Sequence, residues 1–133
     1  MTPRMSDTIE AIETHAFDTA RAKAYFADFL EDPTPEFIDD TFEFDADDLG
    51  EASDVLLACE LVAALMGAPA DTLPPEIKAA TSGKPTPNKK LMAKTRVAVR
   101  GALDANSALR QYWTEHGIEP WLTNVKNLLD RLT

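Results

Sequence analysis

A chain of 133 residues that is 44% hydrophobic and 27% charged is long enough to bury a core unaided and too apolar to stay disordered. Its single cysteine, Cys59, excludes an internal disulfide framework and a cysteine-rich zinc site. The net charge of −10 sets it against DNA, RNA and anionic lipid and draws it toward basic partners.

The charge is uneven. Residues 1–65 carry 17 Asp/Glu against 3 Lys/Arg, whereas residues 66–133 carry 6 against 10. No basic, apolar leader opens the sequence, so the expected location is the cytoplasm.

Residues 1–7 read as a loose start, and residues 8–15 fit either a short helical turn or an extended segment. Asp18 reads as the N-cap of a helix over about residues 19–30, with Ala22, Tyr25, Phe26, Phe29 and Leu30 along its inner face. Glu31-Asp32-Pro33 ends it. Thr34 followed by Pro35 then opens a short helix to about Phe44. Phe37, Ile38 and Phe42 are expected inward, although the alternation at residues 41–44 also suits a brief extended turn.

Asp45, Asp47 and Asp48 form a cap-rich break before residues 49–66. Between Val55 and Met66 the only charge is Glu60. A helix this apolar on every side belongs inside a domain, and it is too short to cross a bilayer, which takes roughly 20 apolar residues. Gly67 with Pro69 behind it marks the end. Thr72-Leu73-Pro74-Pro75-Glu76 starts a single short turn through about Ala80, and residues 81–87, with Gly83, Pro85 and Pro87, make a polar surface loop suited to making contacts.

Asn88 caps a helix over about residues 89–104 that buries Leu91, Met92, Val99, Ala102 and Leu103. Lys89, Lys90, Lys94, Arg96 and Arg100 occupy its other side. A further helix reaches His116, with Leu109, Tyr112 and Trp113 inward, and Gly117 closes it. In the last helix, opened by Pro120, Trp121, Leu122, Val125, Leu128, Leu129 and Leu132 repeat on one face. No segment carries a strong strand pattern. The expectation is an all-α, compact single-domain bundle of five to seven helices around a central helix at about 49–66.

The Ala102-Leu103-Asp104-Ala105-Asn106-Ser107-Ala108-Leu109 stretch, then Trp113, then Trp121 to Leu128 with Val125 between, resembles the closing part of the bacterial family grouped as domain of unknown function 4259. The alanine-rich central helix, with Gly67, Pro69 and Leu73-Pro74 behind it, matches as well, so the resemblance covers roughly residues 16–133. Ala11-Ile12-Glu13 and Phe17-Asp18-Thr19-Ala20 depart from the family's opening, a tryptophan-glycine run and an acidic turn. The resemblance implies a helical domain and a bacterial source, and it carries no activity and no site residues.

The chemistry-bearing residues offer little to an enzyme. His15 and His116 stand at opposite ends, so a metal site would need both brought together with a carboxylate. His116 suits the negative end of its helix. Cys59, expected buried, reads as a small hydrophobe. Residues 45–56 fail as a calcium loop, because Leu49 and Leu56 fall where oxygen ligands belong.

Glu60 either pairs with Arg96 or Arg100 in the core or lies on an exposed stripe with Ser53 and Gly67 at seven-residue spacing. The exposed stripe is the expectation, since charged groups are seldom fully buried. The one enzymatic route left open would join Glu60 to a histidine.

Twelve acidic residues lie between Asp28 and Asp54 with no Lys or Arg among them. Such density is self-repelling, which marks it as a candidate partner surface unless it only confers solubility. The expected partner-binding residues are Asp28, Glu31, Asp32, Glu36, Asp39, Asp40, Glu43, Asp45, Asp47 and Asp48, with Phe37, Phe42 and Phe44 as anchors if exposed. The function expected is a non-enzymatic acidic protein-binding module, an immunity-type inhibitor covering a basic toxin or enzyme. It needs no cofactor, metal, nucleic acid or membrane, as a monomer or homodimer. The alternative is a scaffold protein that self-associates, its acidic half meeting the basic helix of a second copy.

Overall fold

The computed structural model describes residues 20–43 and 48–133. The expectations for residues 1–7 and 8–15, for His15 and Asp18, and for Phe44, Asp45 and Asp47 fall outside them. Within them the chain forms α1 (Ala20–Glu31), α2 (Pro35–Thr41), α3 (Leu49–Leu65), α4 (Pro75–Thr81), α5 (Lys89–Leu103), α6 (Ala108–His116) and α7 (Glu119–Leu132), and no strand. The all-α expectation is met.

Local chemistry sets the ends of these helices. The Thr34 side chain accepts the Phe37 N–H at 3.2 Å, with Pro35 in the first turn where its missing N–H costs nothing. Asp48 Oδ1 accepts the Glu51 N–H at 2.9 Å, Asn88 Oδ1 the Leu91 N–H at 2.8 Å, and Ser107 Oγ the Arg110 N–H at 2.9 Å. After α3 the chain turns at Gly67, whose φ of +88° disfavours any residue with a Cβ. There Ala68 N–H reaches Ala63 O at 2.9 Å and Gly67 N–H reaches Ala64 O at 3.0 Å, which satisfies the last carbonyls.

Helix α3 touches all six other described helices. Every residue from Leu56 to Ala64 is buried, so no side of the helix meets solvent there. Around it pack Ala22, Tyr25, Phe26 and Phe29 of α1, Ile38 of α2, Ile77 of α4, Leu91, Met92 and Val99 of α5, Leu109 and Trp113 of α6, and Trp121, Val125, Leu128 and Leu132 of α7.

Several expected core positions lie at the margin. Leu30 is 41% exposed, because it falls a quarter-turn beyond the centre of the α1 stripe. Phe37, Phe42, Ala102, Leu103, Tyr112, Leu122 and Leu129 are half-buried against the core. The polar loop before α5 is exposed from Ser82 to Thr86, whereas Thr81 ends α4 and Pro87 is buried. Trp113 is 1% exposed, and its indole N–H meets no acceptor. Burying such a ring, roughly 150–250 Å² at about 25 cal/mol per Å², stabilises by about 4–6 kcal/mol, more than the 1–3 kcal/mol of an orphaned donor.

The exposed stripe expected through Ser53, Glu60 and Gly67 does not exist. Ser53 is 4% and Glu60 1% exposed. Arg131 of α7 reaches the Glu60 carboxylate with both terminal nitrogens, Nη1 to Oε1 at 2.8 Å and Nη2 to Oε2 at 3.0 Å. Its Nη1 also donates to the Ala68 carbonyl at 3.2 Å, and its Nε to Asn127 Oδ1 at 2.8 Å. Neither Arg96 nor Arg100 is the partner; Arg96 Nε instead donates to Leu132 O at 3.0 Å. A buried carboxylate needs an oriented cation, and the planar guanidinium supplies one bidentately.

Removing Arg131 alone takes the bidentate cation from a buried carboxylate. Arg131→Ala should lower the urea-unfolding free energy by about 3–5 kcal/mol, while the double replacement Glu60→Leu/Arg131→Met should recover most of that loss.

Candidate functional site

The expected partner-binding carboxylates separate by helix geometry. Asp28 and Glu31 lie on the exposed side of α1, and Asp32 just beyond it accepts the Thr34 hydroxyl at 3.2 Å. Glu36 and Asp40 are exposed on α2, and Glu43 in the turn after it. Asp48 is exposed but serves as the cap of α3. Asp45 and Asp47 lie outside the described residues.

Two carboxylates of the acidic run instead join helices. Asp39 of α2 accepts from Lys94 Nζ of α5 at 2.7 Å, and that hydrogen bond holds the Lys94 ammonium above its ordinary range. Asp54 of α3 takes Arg21 of α1 bidentately, with Nε to Oδ1 and Nη2 to Oδ2 both at 2.9 Å. Burial pushes the Asp54 carboxyl up against the opposing pull of Arg21. Gly50 makes room for this pair. A Cβ there would stand 2.6 Å from Arg21 Nη1.

Among the described residues no cation pairs with Asp28, Glu31, Glu36, Asp40 or Glu43. Asp28 and Asp40 share a groove of about 440 Å³ with Arg21, Tyr25, Phe37 and Asp54. Tyr25 and Phe37 stand 5.4 Å apart by ring centroid, and Phe37 lies 5.8 Å from Phe29. The Tyr25 hydroxyl meets Thr41 Oγ1 at 2.8 Å, and Thr41 donates on to the Phe37 carbonyl at 3.3 Å. Burial raises the Tyr25 phenol well above its ordinary range, so it stays neutral. The groove thus offers exposed carboxylates beside fixed aromatic surface, a setting for an organic cation.

A second groove, of about 480 Å³, is mainly apolar, with Phe42, Val55, Leu56, Val97, Ala98 and Leu109 among its lining beside Glu43, Lys94 and Ser107. Sequence reasoning did not find it, because Val97 looks like an ordinary surface residue until the packing shows what adjoins it.

Of the nucleophile and metal candidates, His116, Glu60 and Cys59 lie among the described residues and His15 does not. His116 is exposed, its Nδ1 lies 2.7 Å from Tyr112 O, and its ring stacks on Tyr112 at 4.0 Å and 14°. No group of three or more His, Cys, Asp or Glu among the described residues could hold a metal ion. Both oxygens of Glu60 are engaged by Arg131. Cys59 is fully buried, with its thiol donating to Thr95 O at 3.8 Å, and burial pushes the thiol well above its ordinary range. None of the described helices is long and apolar enough to cross a membrane.

With this geometry in place, the family model described as Domain of unknown function (DUF4259) matches residues 10–124, and the chain belongs to that family. No curated protein and no solved structure matches the chain.

Only the thiolate reacts with disulfide reagents, and in the folded protein Cys59 is neither ionised nor accessible. Native protein at pH 8 should therefore give no prompt thiol with Ellman's reagent, and labelling should follow the rate of unfolding in urea. A prompt reaction under native conditions would show the α3 core to be open.

Proposed function

We propose that this DUF4259 chain is a non-enzymatic acidic binding module, most concretely an immunity-type inhibitor that covers a basic protein such as a nucleic-acid-acting toxin in a bacterial cytoplasm. The observation that carries this reading is the set of five exposed carboxylates on α1, α2 and the following turn, unpaired among the described residues and continuous with an aromatic-lined groove.

Like charges crowded together destabilise the protein that bears them, and a cationic partner relieves that repulsion on docking. Glu31, Glu36 and Glu43, exposed outside that groove, would chiefly steer the encounter. Asp28 and Asp40 would act at closer range, where a lysine or arginine of the partner can meet a carboxylate beside the half-buried Phe37. The same field disfavours nucleic acid and anionic membrane as partners. Pairs that already join helices, Asp39–Lys94 and Asp54–Arg21, are held back for the fold.

Affinity capture from the source bacterium at low and at high salt, with the captured protein identified by mass spectrometry, tests the reading. A basic protein should be retained at low salt, with an association rate that falls as salt rises. Asp28→Lys/Asp40→Lys should slow that association at least about tenfold while leaving the far-ultraviolet circular dichroism unchanged. An acidic partner, or an association rate indifferent to both salt and the double substitution, overturns it.

A further inference from the structure

Helix α5 turns Leu91, Met92, Thr95 and Val99 into the core. At 100° per residue the opposite line runs through Val97, with Lys90, Ala93, Arg100, Gly101 and Asp104 about it, all of them exposed. Val97 is 68% exposed, the most exposed large hydrophobic residue among those described. A Cβ built at Gly101 would meet nothing within 4 Å, so this face is open. Beside it lies the apolar groove that Val97, Ala98 and Gly101 share with Phe42 and Val55.

The face is matched about Val97 except at a distance of three residues, where Lys94, bridged to Asp39, answers Arg100. Four residues before it stands Ala93 and four after it Gly101; seven before it stands Lys90 and seven after it Asp104. A two-fold axis that runs two such helices antiparallel sets Val97 against its copy. It also sets Ala93 against Gly101, two small residues that allow close approach, and Lys90 against Asp104. That last pair occurs twice, once at each end of the contact. Asp104 Oδ1 holds the Asn106 N–H at 2.8 Å, which fixes the carboxylate at the end of the helix. An isologous interface requires this kind of self-complementarity.

We propose that the exposed face of α5 is the contact surface for a second copy of this chain, in an antiparallel two-fold dimer centred on Val97. The second copy covers Val97 and overlies part of the adjoining apolar groove, so an exposed apolar patch is removed from water. Size and charge complementarity select the occupant: a partner with a different helix face would leave Lys90 and Asp104 without matched opposites. Of the carboxylates assigned above to a basic partner only Glu43 borders the adjoining groove, and the substitutions made below on the α5 face leave all five in place, so the contact is tested apart from that reading. One helix pair with a groove edge falls at the small end of specific interfaces, roughly 1,000 Å² or less, so the dimer forms in a concentration-dependent way.

Sedimentation equilibrium of the full chain between about 10 μM and 1 mM tests this. The weight-average mass should rise from 14.6 kDa toward twice that value. Val97→Arg should weaken association at least about tenfold, since it places two cations on the axis. Lys90→Asp alone and Asp104→Lys alone should each weaken it, because each sets like charges together. Mixing the two single variants should restore dimers, because every contact then pairs Asp with Lys, and the variants' far-ultraviolet circular dichroism should match that of the parent. Val97→Cys, in a protein whose own Cys59 is buried, should oxidise to a covalent dimer faster than the surface control Thr123→Cys. A mass that stays at 14.6 kDa throughout overturns the proposal. So does association unaffected by Val97→Arg, or mixed single variants that fail to pair. Association lost instead on Asp28→Lys/Asp40→Lys would place the contact between acidic and basic faces, and would also overturn it.

Discussion

A carboxylate in the middle of a helix enclosed on all sides is the constraint on which this fold turns. Glu60 has no water to solvate it and no cation within reach on its own helix, where Leu56, Leu57, Ala63 and Ala64 occupy the positions three and four residues away. The charge is tolerable because Arg131 arrives from α7 with two parallel hydrogen bonds and spends a third on the carbonyl at the Gly67 turn. One side chain therefore ties together the middle of α3, the place where α3 stops and the last turn of α7. Apolar packing alone constrains the rotation of α3 weakly, because an all-round apolar helix presents much the same surface at every angle. A buried polar position gripped bidentately by Arg131 removes that freedom.

The acidic run shows the same physics with a different outcome. Asp54 and Asp39 have basic partners on α1 and α5, so their charge holds neighbouring helices in place. Asp28, Glu31, Glu36, Asp40 and Glu43 repel one another in water, a cost that water screens but does not abolish. The surface of α1 and α2 is thus electrostatically unfinished in a way that the surface of α7 is not. α5 is different again: its outward face carries one exposed valine between charges of both signs. Two faces with such unlike chemistry suit two unlike neighbours.

Most of the fold was legible because its punctuation is local. Thr34 with Pro35, Asp48, Asn88, Ser107, Gly67 and Gly117 each mark a helix end through chemistry confined to a few residues. Amphipathic helices such as α7 also announce their inner face by period. Helix α3 does not, since a helix apolar on all sides has no phase to read, and its lone charge then suggests a false surface stripe. The telling sign was an absence: Glu60 lacks any neighbour on its own helix able to satisfy it. Arg131 gave no matching sign, because between Asp130 and Leu132 it looks like an ordinary residue on the polar side of α7. The candidate site was legible as composition, in the excess of carboxylates. Which of them would be engaged by the fold, and where a groove would open among them, depends on packing across 33 to 55 residues of sequence.

The Glu60–Arg131 clamp also has a meaning in time. The two residues are separated by 71 positions. At translation speeds of roughly 5–20 residues per second, Glu60 is made about 4–14 s before its partner. During that interval α3 is complete and strongly apolar, and the arginine that grips its carboxylate has still to be made. The contact that holds the middle of α3 therefore closes only after α5, α6 and most of α7 have been made.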